Sequence, residues 1–530
     1  MKRLYKYALP ALSAALLAGC ADLDTAPFGS TVTSDQKEDV LAKDPSKISA
    51  SVTAITANFT QYAATYGESG NVHSDIGFPS IMMATDTRGT DMVSDDMDYN
   101  WFASSLLFSD SQPTSRQVLM DWNTLYNQIY TCNNVIGMVD PATEDPTSQY
   151  YLAQALAIRA FDYFTLVQMH QFTYVDAPDA LGVPIITPEN AEEAANSGCA
   201  RSTVSEVYEF ILGDLGQAIS LLEQCGVSRA DKRYVSLDVA YGIRARVNLV
   251  MQNYGNALSD AQAALDNTQS TPYTREQVSV PAFIDINDNS WMWGIYVTDQ
   301  DRVSTTGICN FPSHMGSLNY GYASVGAWRR ISKKLFAEIP ETDVRKGWFL
   351  DENGESPNLS AVFQDYIASA SAPIYTQVKY APNGNEAGTS NNDNDIPLMR
   401  VEEMYFIIAE AQAMGDNPSE GAQTLQSFVN AYRDPSYVCT AASPEEVREA
   451  IWQQRRIEFW GEGISYFDLL RLGKGVDRRG HGFGSTCVFN IASNDQLMIF
   501  PIPYDEVQYN PLCEQNPLAS TPAPIVDTEE

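Results

Sequence analysis

Seven residues in the stretch TDTRGTDMVSDDMDYNWF carry the side chains that sugar recognition requires: Arg88, Asp91, Asp95, Asp96, Tyr99, Asn100 and Trp101. Sugars present flat C–H faces to aromatic rings, and their hydroxyls need carboxylate, amide or guanidinium partners. Each ring contact contributes on the order of 1 kcal/mol. A second stretch, NFPSHMGSLNYGYASVGAW, adds Asn310, Tyr320, Tyr322 and Trp328. Two carboxylates are also the minimum for glycoside hydrolysis, so Asp91, Asp95 and Asp96 pose an enzymatic alternative. On a chain this acidic an acid-rich loop reads as a solvated face, and binding is preferred. Trp291 and Trp293 lie in the strand-like run SWMWGIYV and are assigned to the core.

Other chemistry finds little support. There is no G-x-S-x-G, H-E-x-x-H or Walker loop, and GHGFG at 480–484 lacks the spacing of a dinucleotide fingerprint. The four histidines, His73, His170, His314 and His481, read as core or surface residues. Asp285, Asn287 and Asn289 alternate like the start of a calcium loop, but Ser290 replaces its glycine and Tyr296 stands where the bidentate glutamate belongs. No catalytic residue, metal or cofactor is expected.

At the N-terminus, Lys2, Arg3 and Lys6 precede an apolar run from Ala8 to Leu17, too short for a stable membrane span, and the segment reads as a secretory signal over residues 1–19. Leu17-Ala18-Gly19-Cys20 resembles the lipobox of bacterial lipoproteins, in which the cysteine is acylated and becomes the new N-terminus. Two or more acyl chains suffice for stable anchoring, at ~0.8 kcal/mol per buried methylene. Removal of the signal takes three of 33 basic residues and none of the 67 acidic ones, leaving a net charge near −37. Such a chain repels nucleic acid and anionic lipid, so its ligand is neutral or cationic. Seven cysteines remain, an odd number without a C-x-x-C pair, which leaves at least one thiol free and supports no zinc site.

The elements that must position the loops are helical. Residues 20–53 form the lipidated N-terminus and spacer, and 54–530 a single domain. Leu152, Leu156, Ala160, Phe164 and Val167 recur at helical spacing, as do Val204, Val207, Ile211, Leu215 and Leu222 behind a capping box of Thr203 and Glu206. Both are expected to be amphipathic. Two helical runs meet at Asn253, and the second puts Tyr254, Ala257, Leu258, Ala261 and Leu265 on one face, a pattern similar to a tetratricopeptide repeat. Val401-Met404-Tyr405-Ile408 with Ala422-Leu425-Val429-Tyr432 has the same character, and a further helix opens with Ser443, Pro444 and Glu446. Stacked helix pairs imply a mainly α, right-handed, repeat-like solenoid, interrupted by irregular segments at 67–118 and 281–399 whose aromatic content argues for ordered loops.

QQRRIEFWGEGISYFDLLRLGKG at 453–475 and LMIFPIPYDEVQYNPLCEQNP at 497–517 strongly resemble two signature segments of the SusD/RagB family. LAQALAIRAFDYFTLVQMHQF at 152–172, PLMRVEEMYFIIAEAQ at 397–412 and CADLDTAP at 20–27 are similar to further blocks of that family. Together they span nearly the whole mature chain. The resemblance implies a surface nutrient-binding lipoprotein of the outer membrane that takes oligosaccharide and sits over a SusC-like TonB-dependent transporter, with ligand loops in the two irregular regions. Peptide or glycopeptide ligands and a protein adaptor remain alternatives. Many members carry Arg where this chain has Ser465 and an aromatic where it has Gly461. The charges of Arg455, Glu458, Glu462, Asp468 and Arg471 are tolerable on a partly apolar helix only if paired, and are read as fold-holding.

Overall fold

The computed structural model describes residues 48–97 and 99–529, so Cys20 and most of the expected spacer lie outside the described residues. Residues from Ala50 onward form one compact unit. Helix α1 (Ser49–Ala57) begins inside the stretch assigned to the spacer and buries Val52 and Ile55. Helix α2 (Phe78–Arg88) is buried along its full length and is followed by strand β1 (Met92–Val93), so the 67–118 region is less irregular than its composition predicts. Gly77 opens α2 at φ +80°, and a Cβ there would stand 2.5 Å from the Phe59 carbonyl oxygen, so only glycine fits.

Helices α3 (Arg116–Ile136), α4 (Pro146–His170), α5 (Val204–Cys225), α6 (Leu237–Val250) and α7 (Tyr254–Asn267) pack in sequence, each against the next. The Thr203–Glu206 capping box is present in both directions, satisfying two of the amides that a helix start leaves open. Helix α4 departs from the amphipathic expectation. It is buried around nearly its whole circumference, including Gln154, Arg159 and Asp162, and a bidentate Arg159–Asp214 pair at 2.8 Å ties it to α5. On α7 the buried face is Ala257, Asp260, Ala261 and Ala264, with Asp260 paired to Arg244 of α6 at 2.6 Å.

Strand β2 (Trp291–Ile295) comes next, then β3 (Arg330–Ile331) and β4 (Ile396–Arg400). Trp291 and Trp293 are fully buried, and the Trp293 ring meets Phe59 and Phe161 edge-on at 5.4 and 5.0 Å. β2 pairs antiparallel with β4, and β1 with β3 in the register Met92↔Ile331, Val93↔Arg330. Helices α8 (Val401–Met414), α9 (Pro418–Tyr432) and α10 (Pro444–Glu458) enclose Phe406, Leu425, Phe428, Val429, Val447, Ile451 and Phe459. Burial of each such side chain contributes roughly 1.5–3 kcal/mol. α7 lies against α8, which joins the two groups of helices into one stack. Helix α11 (Ser465–Arg471) packs on α2.

The charges around Glu458, Glu462 and Asp468 form a paired, buried cluster. Glu458 receives both Nε and Nη2 of Arg433 at 2.7 Å, Nη1 of Arg400 at 3.0 Å and Nη1 of Arg345 at 3.2 Å. Glu462 takes Arg400 at 2.8 Å and Lys379 at 2.6 Å; Asp468 takes Arg455 and Arg471, both at 2.7 Å. These are the fold-holding ions expected from the sequence. Gly461 stands at φ +78°, a backbone conformation that an aromatic residue rarely adopts. All seven cysteines among the described residues are unpaired.

Candidate binding surface

The two aromatic stretches meet, and the polar residues between them are used to join them. β1–β3 pairing places residues 92–93 beside 330–331, and Arg330 reaches across to Asp95 at 2.8 Å. Asn100 is buried: its side chain accepts from Arg329 Nη2 at 3.1 Å and donates to the Asp95 carbonyl at 2.9 Å. His314 is fully buried, donates from Nε2 to the His73 carbonyl at 3.0 Å and stacks on Tyr322 at 5.0 Å and 20°. Burial lowers the pKa of His314 to about 3, which keeps it neutral and lets it act as a one-donor crosslink between the loops.

Tyr322 is the hub of a ring cluster. Its hydroxyl donates to Nδ1 of His73, whose Nε2 donates to Asn71 at 2.8 Å, so the His73 tautomer is set from both sides. Burial lowers the His73 pKa, which favours the neutral ring, and burial foremost pushes Tyr322 up to about 12. His73 lies flat on Trp101 at 4.5 Å and 24°, Trp101 meets Tyr322 edge-on at 6.2 Å, and Tyr99 lies 6.4 Å from Tyr322 at 31°. Ring pairs of this kind are each worth roughly 0.5–1.5 kcal/mol beyond burial. Tyr99 is 51% exposed and Tyr320 50%, Trp101 is half-buried and Asp96 exposed, so ring faces and a carboxylate remain open beside the buried hub.

Other expected ligand residues are committed elsewhere. Arg88 is fully buried, paired to Asp110 and sandwiched by Phe108 and Phe500 at 4.7 and 4.3 Å, because it closes α2 inside the core. Asp91 pairs with Arg456 at 2.5 Å, and its carbonyl accepts from Trp460 Nε1 at 2.9 Å. Asn310 caps the short helix Phe311–Met315 by accepting from Ser313 N at 2.9 Å. Trp328 packs in a core cluster with Leu318, Leu350, Phe363 and Val378. Tyr322 itself is 6% exposed and offers a ligand little surface. Composition singles out two stretches that meet in the fold, but it cannot tell an arginine that ends a buried helix from one that faces solvent. His73 and Asn71 were missed as members of the cluster; the only sequence signal was that they fall within the irregular 67–118 region.

Beneath the loop, Arg478 is fully buried without a carboxylate. It donates to the carbonyls of Thr87 at 3.0 Å, Arg88 at 2.9 Å, Gly89 at 3.1 Å, Leu106 at 2.6 Å and Cys487 at 3.1 Å. Three of those carbonyls end α2, where the helix dipole favours a cation.

A stack of helix pairs that presents an open ring cluster on inserted loops is the architecture of a binding module. The family described as "Starch-binding associating with outer membrane" matches residues 35–249, and the family described as "SusD family" matches residues 364–518. The chain belongs to the SusD/RagB family. SusD-like protein P38 of Formosa agariphila is 22% identical over 445 residues, covering 78% of this chain and 82% of that protein. In fold, the chain is similar to a SusD-like carbohydrate binding protein from Bacteroides vulgatus, with a TM-score of 0.72 and 23% identity over 88% of this chain and 96% of the other. A SusD superfamily protein from Bacteroides thetaiotaomicron gives 0.71 and 21% over 92% and 100%. The family is associated with the outer membrane, and among the described residues no helix is long and apolar enough to cross a membrane.

Proposed function

We propose that this protein is a lipid-anchored surface receptor that captures oligosaccharide on the Tyr99–Trp101–Tyr320 surface and delivers it to a SusC-like TonB-dependent transporter. The observation that carries the reading is the convergence of Tyr99 and Trp101 with His73 and Tyr322 from stretches more than 200 residues apart, leaving ring faces open to solvent. Asp96, exposed in the same stretch as Tyr99 and Trp101, is available as a hydroxyl partner. The acidic balance of the chain favours a neutral or amine-bearing glycan over uronate or sulfated ones.

Trp101→Ala tests this. Calorimetry of wild type against plant, host and microbial polysaccharides identifies a ligand, and the variant is expected to bind it about tenfold more weakly, the equivalent of ~1.4 kcal/mol. Thermal melts check that the fold survives. Equal affinity of the folded variant and wild type would move the site elsewhere, and turnover of the glycan would turn the reading toward a hydrolase.

A further inference from the structure

A second cleft, about 740 Å³ in volume, lies where helix Lys333–Glu338, the turn Val344–Trp348 and the segments around Asp351 and Tyr375 come together. That volume falls in the range of ~300–1,000 Å³ typical of small-molecule sites. Nothing in the ring cluster around Tyr322 accounts for it. Its aromatic side is formed by the partly exposed Tyr375, which packs on the buried Phe336 with centroids 4.9 Å apart and planes at 51°. Tyr375 holds φ +66°, which a bulky residue adopts rarely, and backbone outliers of this kind cluster at functional sites.

Sorting the polar groups of the cleft shows which are free for a ligand. Asp351 is consumed by its own turn, accepting from the amides of Asn353 at 2.8 Å and Glu355 at 3.0 Å. Lys346 donates to the Ile339 carbonyl at 2.9 Å and to Glu341 at 2.6 Å, and Asp343 is held by Arg345 at 2.6 Å. Glu352 takes only a 3.4 Å bond from the Tyr375 hydroxyl, and Glu355 and Lys333 are exposed at the edge. The result is a cleft with one accessible ring, Tyr375, two available carboxylates and one ammonium. Rings offer flat faces to C–H surfaces, and the carboxylates accept from hydroxyls. The net negative lining disfavours phosphate, sulfate and uronate.

We infer that this cleft is a second saccharide site, specific for a neutral glycan, operating alongside the Tyr99–Trp101 surface; the inference rests on the proposal above that the chain binds glycans. The two sites flank one backbone unit. Arg330 pairs with Val93 on one side and Thr376 on the other, its guanidinium reaches Asp95, and the Tyr375 carbonyl accepts from Ile331 N at 3.0 Å. A polymer that engages both sites gains avidity that a short oligosaccharide does not.

The test uses soluble starch, laminarin, xylan and mannan, each with its hexasaccharide, in calorimetry and affinity electrophoresis. Tyr375→Asn removes the ring and keeps a residue that tolerates the left-handed backbone, and Glu355→Ala alters only the exposed edge, so at least one variant remains folded. Hexasaccharide stoichiometry is expected to fall from two to one in Tyr375→Asn, and polymer affinity by about tenfold or more. Unchanged stoichiometry and polymer affinity in both folded variants would overturn the second site and leave glycan binding standing. Binding abolished by Tyr375→Asn but untouched by Trp101→Ala would keep the cleft and overturn the Trp101 surface. Failure of wild type to bind any of these glycans would overturn both.

Discussion

Replacing Glu458 by Gln probes the ions that hold the loops to the helical stack. Four buried cations, Arg345, Arg400, Arg433 and Lys379, face four buried anions, Asp343, Glu402, Glu458 and Glu462, so the cluster is neutral as a whole. Glu458 contacts three of the cations, and although burial opposes its charge, the arginines hold its carboxyl well below the usual range. Glutamine keeps the shape, removes the charge and turns an N–H donor toward guanidinium donors. Leaving a buried charge uncompensated costs roughly 3–5 kcal/mol. The expected pH signature separates this from a packing defect. Burial lowers Lys379 to about 8, and Glu458 is one of the groups that hold it up. In the variant Lys379 sheds its proton more readily and restores neutrality, so the loss of stability is greatest near pH 7 and shrinks toward pH 9. Urea unfolding of both proteins at pH 7 and pH 9 measures it. A difference below about 1 kcal/mol at pH 7, or one that does not change with pH, would refute the charge-balance reasoning.

Asp86 is buried, which raises its pKa to about 7, and only one of its oxygens is bonded, to Gly463 N at 2.9 Å. The folded state therefore keeps a proton that the unfolded state releases near pH 4, so relative to Asp86→Asn the wild type should lose about 1.4 kcal/mol per pH unit between roughly pH 4 and 7; parallel urea midpoints at pH 5 and 7 would contradict this. Gly461→Ala adds a Cβ 3.1 Å from Met315 Cε and 3.3 Å from Tyr380 at a left-handed position, and should cost about 1–3 kcal/mol in thermal melts. Cys20→Ala should shift the protein from membranes to a soluble fraction, while acylated wild type should bring down a TonB-dependent transporter under mild detergent. Unchanged membrane retention of the variant would count against the anchor, and a chain that always purifies alone against the partner.

The helical scaffold was legible because its signals are local. The capping boxes at Thr203 and Ser443 and the small residues Ala257 and Ala261 act through neighbours a few positions away. The charged positions Glu458, Glu462 and Asp468 were legible as paired, because buried charge leaves few alternatives; Asp468 finds Arg455 and Arg471 nearby, but Arg345 and Lys379, which hold Glu458 and Glu462, lie 113 and 83 residues away. The ring cluster was legible only as two stretches. Asn100 and Arg88 have the side chains of ligand residues, and what separates them from Tyr99 and Trp101 is burial decided by distant segments: Arg329 holds Asn100, while Asp110 and Phe500 enclose Arg88. His73 was hidden for the same reason, since its place is set by Tyr322 and by Trp101 across the junction.

Arg478 bears on when the protein can fold as well as on how it is held. Its hydrogen bonds to Arg88 and Gly89 span 390 and 389 residues, and the Arg456 bonds to Asp91 span 365, so the loop that carries Tyr99 and Trp101 is fastened by the last fifth of the chain. Closing loops of that length costs entropy before any contact repays it, and such topologies fold slowly. A chain still in transit lacks both fasteners, and its N-terminal segments cannot reach their final packing until residues 456–478 have emerged. Under the export that the proposed function entails, late fastening would leave the polypeptide threadable through a translocation channel and reserve the assembled ring cluster for the far side of the membrane.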